Sequence, residues 1–437
     1  MKAEPITIIG GGLAGCEAAG RIAAAGLPCR LLEMKPLRFS PAHQSENLAE
    51  LVCSNSFKSE SLTSAHGLLK AEMKLLGSLV LRMAEETRVP AGQALAVDRE
   101  RFAERMTRAV ENLPGVEIIR GEATAIPGSG RVIIATGPLT SEALAQSIRQ
   151  LTHTEALSFY DAIAPIVTAE SVDFTIAFRA SRYEQGGDDY INCPLTREEY
   201  DRFCRELLAG RRAPLREFET PQFFEGCLPI EVMAERGPET LAFGPMKPVG
   251  LIDPRTGRRP YAIVQLRQDD LAATLYNLVG FQTRLAYPEQ ERIFRLIPGL
   301  EQAEFARLGS IHRNTFIHSP SLLNPDLSLR SDPRIFFAGQ ITGVEGYLES
   351  AAAGIMAGIA AARQAKNLPP LVLPAATMIG ALIRYVTNPR SGPFQPMNSN
   401  FGILDPLSEP APKSQRKTKL IERALNELQS FKLMVPA

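Results

Sequence analysis

The sequence predicts an α/β protein: a Rossmann-like dinucleotide-binding domain of the two-motif type, with a mixed α/β domain inserted between its two parts. Three observations carry that expectation. Gly10-Gly11-Gly12-Leu13-Ala14-Gly15 sits between a β-branched run and an alanine-rich stretch of helical composition. A second apolar run ends in an acid, Glu33. A strand, a glycine turn and a helix of small residues then return only at Arg334–Gly358, after a long middle region of different texture.

Taken in order, "PITIIGG" is a short β-branched strand, and "EAAGRIAAAG" has helical composition closing at Gly26. "PCRLLEM" reads as a second strand, giving a βαβ unit with parallel pairing. "DRERFAERMTRAVENLPG" predicts an amphipathic helix with Phe102, Met106, Ala109, Val110 and Leu113 on one side. "VEIIRGEATAI" and "RVIIATGP" predict two further strands. From about Leu151 strands and loops mix, with more aromatics and prolines. The expected division is therefore 1–150 (first part of the nucleotide domain), 151–318 (inserted substrate domain) and 319–405 (second part). In the Pro- and charge-rich tail, 406–437, Pro406–Lys419 reads as loose, followed by a short amphipathic helix, "LIERALNELQSF".

Composition narrows the classes. A chain of 437 residues with 45% hydrophobic and 22% charged residues is ordinary for a soluble globular protein. Lys+Arg and Asp+Glu both number 48, so a nucleic-acid partner would require a segregated basic face. No run reaches the roughly 20 apolar residues that span a bilayer, and the start lacks the pattern of a secretory signal. The six cysteines form no CxxC pair, and with five histidines and no close His/Cys cluster they suggest neither disulfides nor a metal site. No membrane, no metal and a reducing, cytoplasmic setting are expected.

Gly10, Gly12 and Gly15 satisfy GxGxxG, and Gly11, Leu13 and Ala14 complete the turn. This spacing permits a tight turn, close approach of backbone to a pyrophosphate, and close packing of helix on strand. The helix N-terminus offers free N–H groups to phosphate. Glu33 stands where a carboxylate binds a ribose hydroxyl, and an acid there argues against a 2′-phosphate, favouring FAD or NAD over NADP. The late segment "FFAGQITGVEGYLESAAAG", with Gly339, Gln340, Glu345, Gly346 and Tyr347, together with "RVIIATGP", favours FAD. A purely structural glycine turn, or an NAD-only protein, remains the alternative.

Cys16, Cys29, Cys193 and Cys204 occur in apolar helix or strand patterns and read as packing residues. Cys53 in "LVCSNSFKSE" and Cys227 in "QFFEGCLPIE" have polar or turn-like neighbours, and either could be a reactive thiol. Lys58 could act on the first thiol or be a solvated lysine.

Together, "GGGLAGCEAA", "CSNSFKS", "FFEGCLPIE", "FGPMKPVGL", "RNTFIHSP" and "FFAGQITGVEGYLESAAAGI" resemble the folate- and FAD-dependent tRNA (uracil-5-)-methyltransferases, in order, to about Leu404. The larger flavoproteins that modify the wobble uridine of tRNA share the first and last glycine motifs, but the paired cysteine motifs favour the methyltransferases. The resemblance implies formation of 5-methyluridine in the T-loop of tRNA. The one-carbon unit would come from 5,10-methylenetetrahydrofolate and electrons from FAD reduced by NADH or NADPH. It makes Cys227 the nucleophile at uracil C6 and Cys53 the partner in proton transfer or flavin-adduct control, an assignment that residues alone leave open. His312 and Tyr347 become candidates to line the folate and flavin pocket, against a structural role for each. Arg211, Arg212, Arg216, Arg255, Arg258, Arg259 and Lys413–Lys419 become candidate contacts to the tRNA T-arm, or simply solvated faces. Oligomeric state is left open. The reading from another class is a small-molecule flavin-dependent oxidoreductase with structural cysteines.

Overall fold

The computed structural model describes residues 4–154, 157–184, 187–214, 228–389 and 394–432. Its first layer is a five-stranded sheet in the order Ile335–Phe337, Val132–Ile134, Ile6–Ile9, Cys29–Glu33, Val116–Arg120. Every pairing in it is parallel. The three-residue strands Val132–Ile134 and Ile335–Phe337 are wholly buried, as expected of parallel strands covered on both faces.

Two helices from the two glycine motifs pack on this sheet. Leu13–Ala24 and Tyr347–Ala365 are rich in alanine and glycine, and almost every residue of both is buried. Small side chains let the backbones come close: a methyl group added at Gly354 would lie 2.2 Å from the carbonyl oxygen of Ala14. Arg99–Glu111 buries Phe102, Met106 and Val110, the face its periodicity predicts.

Residues 61–86 carry no motif, yet form the helices Ala65–Leu75 and Leu79–Glu86. Two buried glutamates fasten them. Glu17 accepts from the amides of Leu79 and Val80, each at 3.0 Å. Glu72 accepts from those of Met378 and Ile379, at 2.7 and 2.8 Å, where the helix Met378–Thr387 begins. Each acid satisfies amides that a helix start leaves without partners.

A second, six-stranded antiparallel sheet runs Phe178–Arg179, Tyr190–Leu195, Ala262–Gln268, Leu275–Leu278, Ile166–Thr168, Phe305–Arg307. It has its own core, in which Phe203, Phe281 and Phe294 meet edge to face or tilted. The two chain crossings between the sheets run side by side, Leu157–Ala162 pairing antiparallel with Ile311–Phe316.

One expectation is corrected. The tail from Lys413 is not loose: Lys413–Lys432 is a single helix. Leu420, Ile421, Ala424 and Leu428 are buried in the main core, and the lysines and arginine of the first two turns continue the same helix outward from that apolar stripe. Charge density concealed a helix that its last turns anchor.

Candidate active site

A cleft of about 1050 Å³, partly open to solvent, runs along the carboxyl ends of the parallel strands. Gly10, Gly11, Gly12, Leu13, Ala14 and Glu33 line one part of it, and Gly339, Gln340 and Tyr347 another. Gly15 lies beneath: a methyl group there would sit 1.9 Å from the Gly10 carbonyl oxygen, so helix and strand touch through bare backbone. Gly12 is the opposite case. A methyl group on it would meet nothing within 4 Å, and it precedes a helix start with no side-chain cap. Open space in front of uncapped amides fits a pyrophosphate.

Glu33 accepts from the amides of Gly11 (2.9 Å) and Lys35 (3.0 Å), which fixes its carboxylate at the cleft wall. Each oxygen keeps a further lone pair for a ribose hydroxyl. His43, unremarked in the sequence, also lines the cleft; burial first, then the charge of Lys35, lower its pKa. The residues present therefore fit a dinucleotide, with the adenosine half at Glu33 and the other half towards Gly339 and Tyr347.

Cys53 lies in the loop between the cleft residue Val52 and the strand Ser56–Ser59. That loop is held from three directions. The hydroxyl oxygen of Tyr347 accepts from the amides of Cys53 (2.8 Å) and Ser54 (3.2 Å). Arg99 donates to the carbonyls of Leu51 (2.9 Å) and Cys53 (3.2 Å), and is paired with Asp269 at 2.9 Å. Arg267, from the second sheet, donates to Asn55 Oδ1 (2.9 Å) and Ser54 Oγ (2.8 Å). The half-buried thiol lies 3.8 Å from the Ala162 carbonyl oxygen.

Acid/base groups gather beside it. Burial first, then the Asp161 carboxylate, hold Glu345 well above the usual carboxylate range; its Oε2 accepts from Gln340 at 2.6 Å. Gly346 caps the helix that Tyr347 begins. Burial of its ring raises the Tyr347 phenol above its ordinary value. His66 stands 3.8 Å from Glu349, with its pKa lowered to about 4, chiefly by burial. The charge of Lys58 acts on His66 and Glu345.

Cys16, Cys29 and Cys193 are buried, and burial pushes their thiols up. Cys227 and Arg216 lie outside the described residues. The backbone of His312 pairs with Asp161 in the ribbon between the sheets, while its side chain lies outside the described residues. Arg99, Arg267 and Asp269 were not legible as site residues, because nothing local distinguishes them from any helix or strand charge. Among the described residues no cluster could hold a metal ion, and no helix is long and apolar enough to cross a membrane.

Fold and cleft together define an α/β protein of the Rossmann-like dinucleotide-binding class, with a second sheet whose Arg267 reaches the loop beside the cleft. The chain belongs to the family described as Glucose inhibited division protein A, which it matches over residues 5–369. It is 58% identical over 424 residues to the methylenetetrahydrofolate--tRNA-(uracil-5-)-methyltransferase TrmFO of Geobacter sulfurreducens, covering 97% of this chain and 98% of that one. The protein of the same name from Moorella thermoacetica is 57% identical over 423 residues, covering 97% of each. The solved structure of Aquifex aeolicus GidA matches with a TM-score of 0.72 at 19% identity, over 99% of this chain and 74% of that one, a likeness of fold. The resemblance expected from the motifs is thus borne out.

Proposed function

We propose that this protein methylates C5 of a uridine in the T-arm of tRNA, taking the carbon from 5,10-methylenetetrahydrofolate, with FAD bound in the cleft and NADH or NADPH as reductant. The observation that carries the reading is the Cys53 loop, hung from the hydroxyl of Tyr347 at the lip of the glycine-lined cleft. The names of relatives more than half identical over almost the whole chain support it.

Uracil C5 is a weak nucleophile. Addition of a thiolate to C6 moves an electron pair to C5, which can then attack the one-carbon unit. A base removes the C5 proton, and the pair so released expels the thiolate from C6. The carbon arrives at the oxidation level of formaldehyde, still bonded to a nitrogen of its carrier. Replacing that C–N bond by C–H takes two electrons and a proton and releases the carrier amine, and the bound flavin would supply the electrons.

Cys227 is assigned the addition to C6, and Cys53 the proton transfer or control of the flavin adduct. The Tyr347 hydroxyl and Arg99 hold the backbone that carries Cys53, and Arg267 holds the side chains of Ser54 and Asn55 beside it, which is the pre-alignment such a step needs. Glu345, held towards its protonated form, is placed to exchange a proton within the same pocket. Glu33 and the amides after Gly12 would hold the adenosine and pyrophosphate. The inserted residues 151–318 are assigned to substrate, and a small-molecule oxidoreductase gives no reason for so firmly held a thiol loop.

The test is transfer of label from methylenetetrahydrofolate to a T-arm transcript. The expected product is 5-methyluridine at one position. Flavin-bound enzyme that oxidises NADPH but leaves every tRNA unlabelled would overturn the reading.

A further inference from the structure

The motif Phe243–Leu251, "FGPMKPVGL", takes no part in the cleft or the Cys53 loop. Its core anchors are Met246 and Leu251, both buried. Between and beside them the chain turns apolar groups outward: Phe243 is 81% exposed, Ile252 58% and Val249 40%. Tyr183, 60% exposed, joins them. Its amide donates to the Gly250 carbonyl at 3.1 Å, and its neighbour Arg182 donates to the Val249 carbonyl at 2.8 Å. Single exposed apolar residues need no explanation, but four on adjoining turns do.

Three cations beside this patch are unspent, while the acids bordering it, Asp253 and Glu239, are each paired with an arginine. Lys247, Arg258 and Arg259 are exposed, and among the described residues their side chains make no ion pair or hydrogen bond. Arg255, by contrast, is paired with Asp253 at 2.9 Å. Three unpaired cations around aromatic and aliphatic groups match a polyanion that also offers flat faces, which is nucleic acid.

The patch is also in register with the thiol loop. The Ile263 amide donates to the Met246 carbonyl at 2.9 Å, fixing the motif to the start of the strand Ala262–Gln268. Arg267, at the other end of that strand, holds Ser54 and Asn55. Four residues of strand separate the two attachments by about 13 Å, a span over which one nucleic-acid strand carries on the order of four phosphates.

We propose that Tyr183, Phe243, Val249 and Ile252, with Lys247, Arg258 and Arg259, form the docking face for the RNA substrate. The cations contact phosphates, and Phe243 and Tyr183 stack on bases or lie against ribose. The assignment rests on the function proposed above and names where that substrate is gripped outside the pocket.

Two variants of the flavin-bound enzyme test it, R258E/R259E and F243S/Y183S, with a fluorescent T-arm transcript as the probe at two salt concentrations. The charge reversal should weaken binding by about tenfold or more and lower the log–log salt slope by about two. The aromatic variant should weaken binding by about fivefold or more with the slope unchanged. Both should raise KM for the transcript and leave kcat at saturating RNA as in the parent. Parent methylation with unaltered affinity in both variants would overturn the face and spare the proposed function. A parent that neither binds nor methylates RNA would overturn both. Variants that turn a dimeric parent into a monomer with RNA affinity intact would show instead that a second copy of the chain covers the face.

Discussion

Tyr347 and Cys53, 294 residues apart in the chain, are joined by a hydrogen bond of 2.8 Å from the Cys53 amide to the tyrosine hydroxyl oxygen. The same oxygen serves Ser54 at 3.2 Å. The second glycine motif therefore positions the Cys53 loop, and that loop and the cleft share one fastening. Tyr347→Phe removes the acceptor and leaves two amides without it, each loss costing about 1–3 kcal/mol. The expected result is a fall of about tenfold or more in single-turnover methylation, with flavin content retained. An unchanged rate would show that the hydroxyl positions nothing.

Replacement of Gly12 by leucine separates cofactor binding from folding. A Cβ there meets no neighbouring atom within 4 Å, and the backbone, at φ −76°, accepts any residue. The variant should fold and melt like the parent yet purify colourless, because its side chain fills the space in front of the helix amides. Full flavin absorbance in that protein would refute the assignment of the cleft.

The thiols can be told apart by trapping. Cys227→Ala should abolish covalent capture of RNA carrying 5-fluorouridine, since fluorine at C5 cannot leave as a proton. Cys53→Ala should abolish turnover. Cys16→Ala, in the core with a thiol that burial holds protonated, should do neither. Wild-type methylation by both of the first two variants would refute the cysteine mechanism.

Arg267 offers a test of the inserted sheet's hold on the loop. Arg267→Lys keeps a cation but not the fork that reaches both Ser54 and Asn55. The rate of Cys53 alkylation and the methylation kcat should shift several-fold, while KM for NADPH stays put. Removing Asp269 instead leaves the half-buried Arg99 without its carboxylate, and should show first as a lower melting temperature.

Burial pushes Glu72 up to about 8. Its proton is thus bound more tightly in the folded than in the unfolded chain, where a carboxyl of this kind titrates near 4.5. The stability it contributes is complete below about 4.5 and is lost as pH rises through about 8. Glu72→Gln should flatten the dependence of melting temperature on pH across that window. Identical slopes for parent and variant would show that Glu72 does not titrate differently on folding.

Much of this was legible in residues. The turn Gly10–Gly15, the acid Glu33 and the strand ending at Phe337 follow from local chemistry, because each depends on neighbours a few positions away. The helix from Lys413 was hidden, since its burial depends on four apolar residues meeting a distant core. Glu17 and Glu72 carry no signal in their own neighbours, and only tertiary packing turns them into caps for other helices. Arg99 and Arg267 were invisible for the same reason: their partners lie at separations of up to 213 residues.

The contact of Gly354 with Ala14 has a consequence for biosynthesis. A nascent chain lengthens by about 5–20 residues per second, so the first glycine turn waits on the order of twenty seconds to a minute for the helix that closes over it. Throughout that interval the Ile6–Ile9 strand lacks its full sheet, while the inserted sheet, whose strands all fall between Ile166 and Arg307, is complete in the chain before the closing helix is made. The flavin is therefore a late acquisition, and a ribosome halted before Arg334 would leave an apolar, colourless fragment for chaperones to hold.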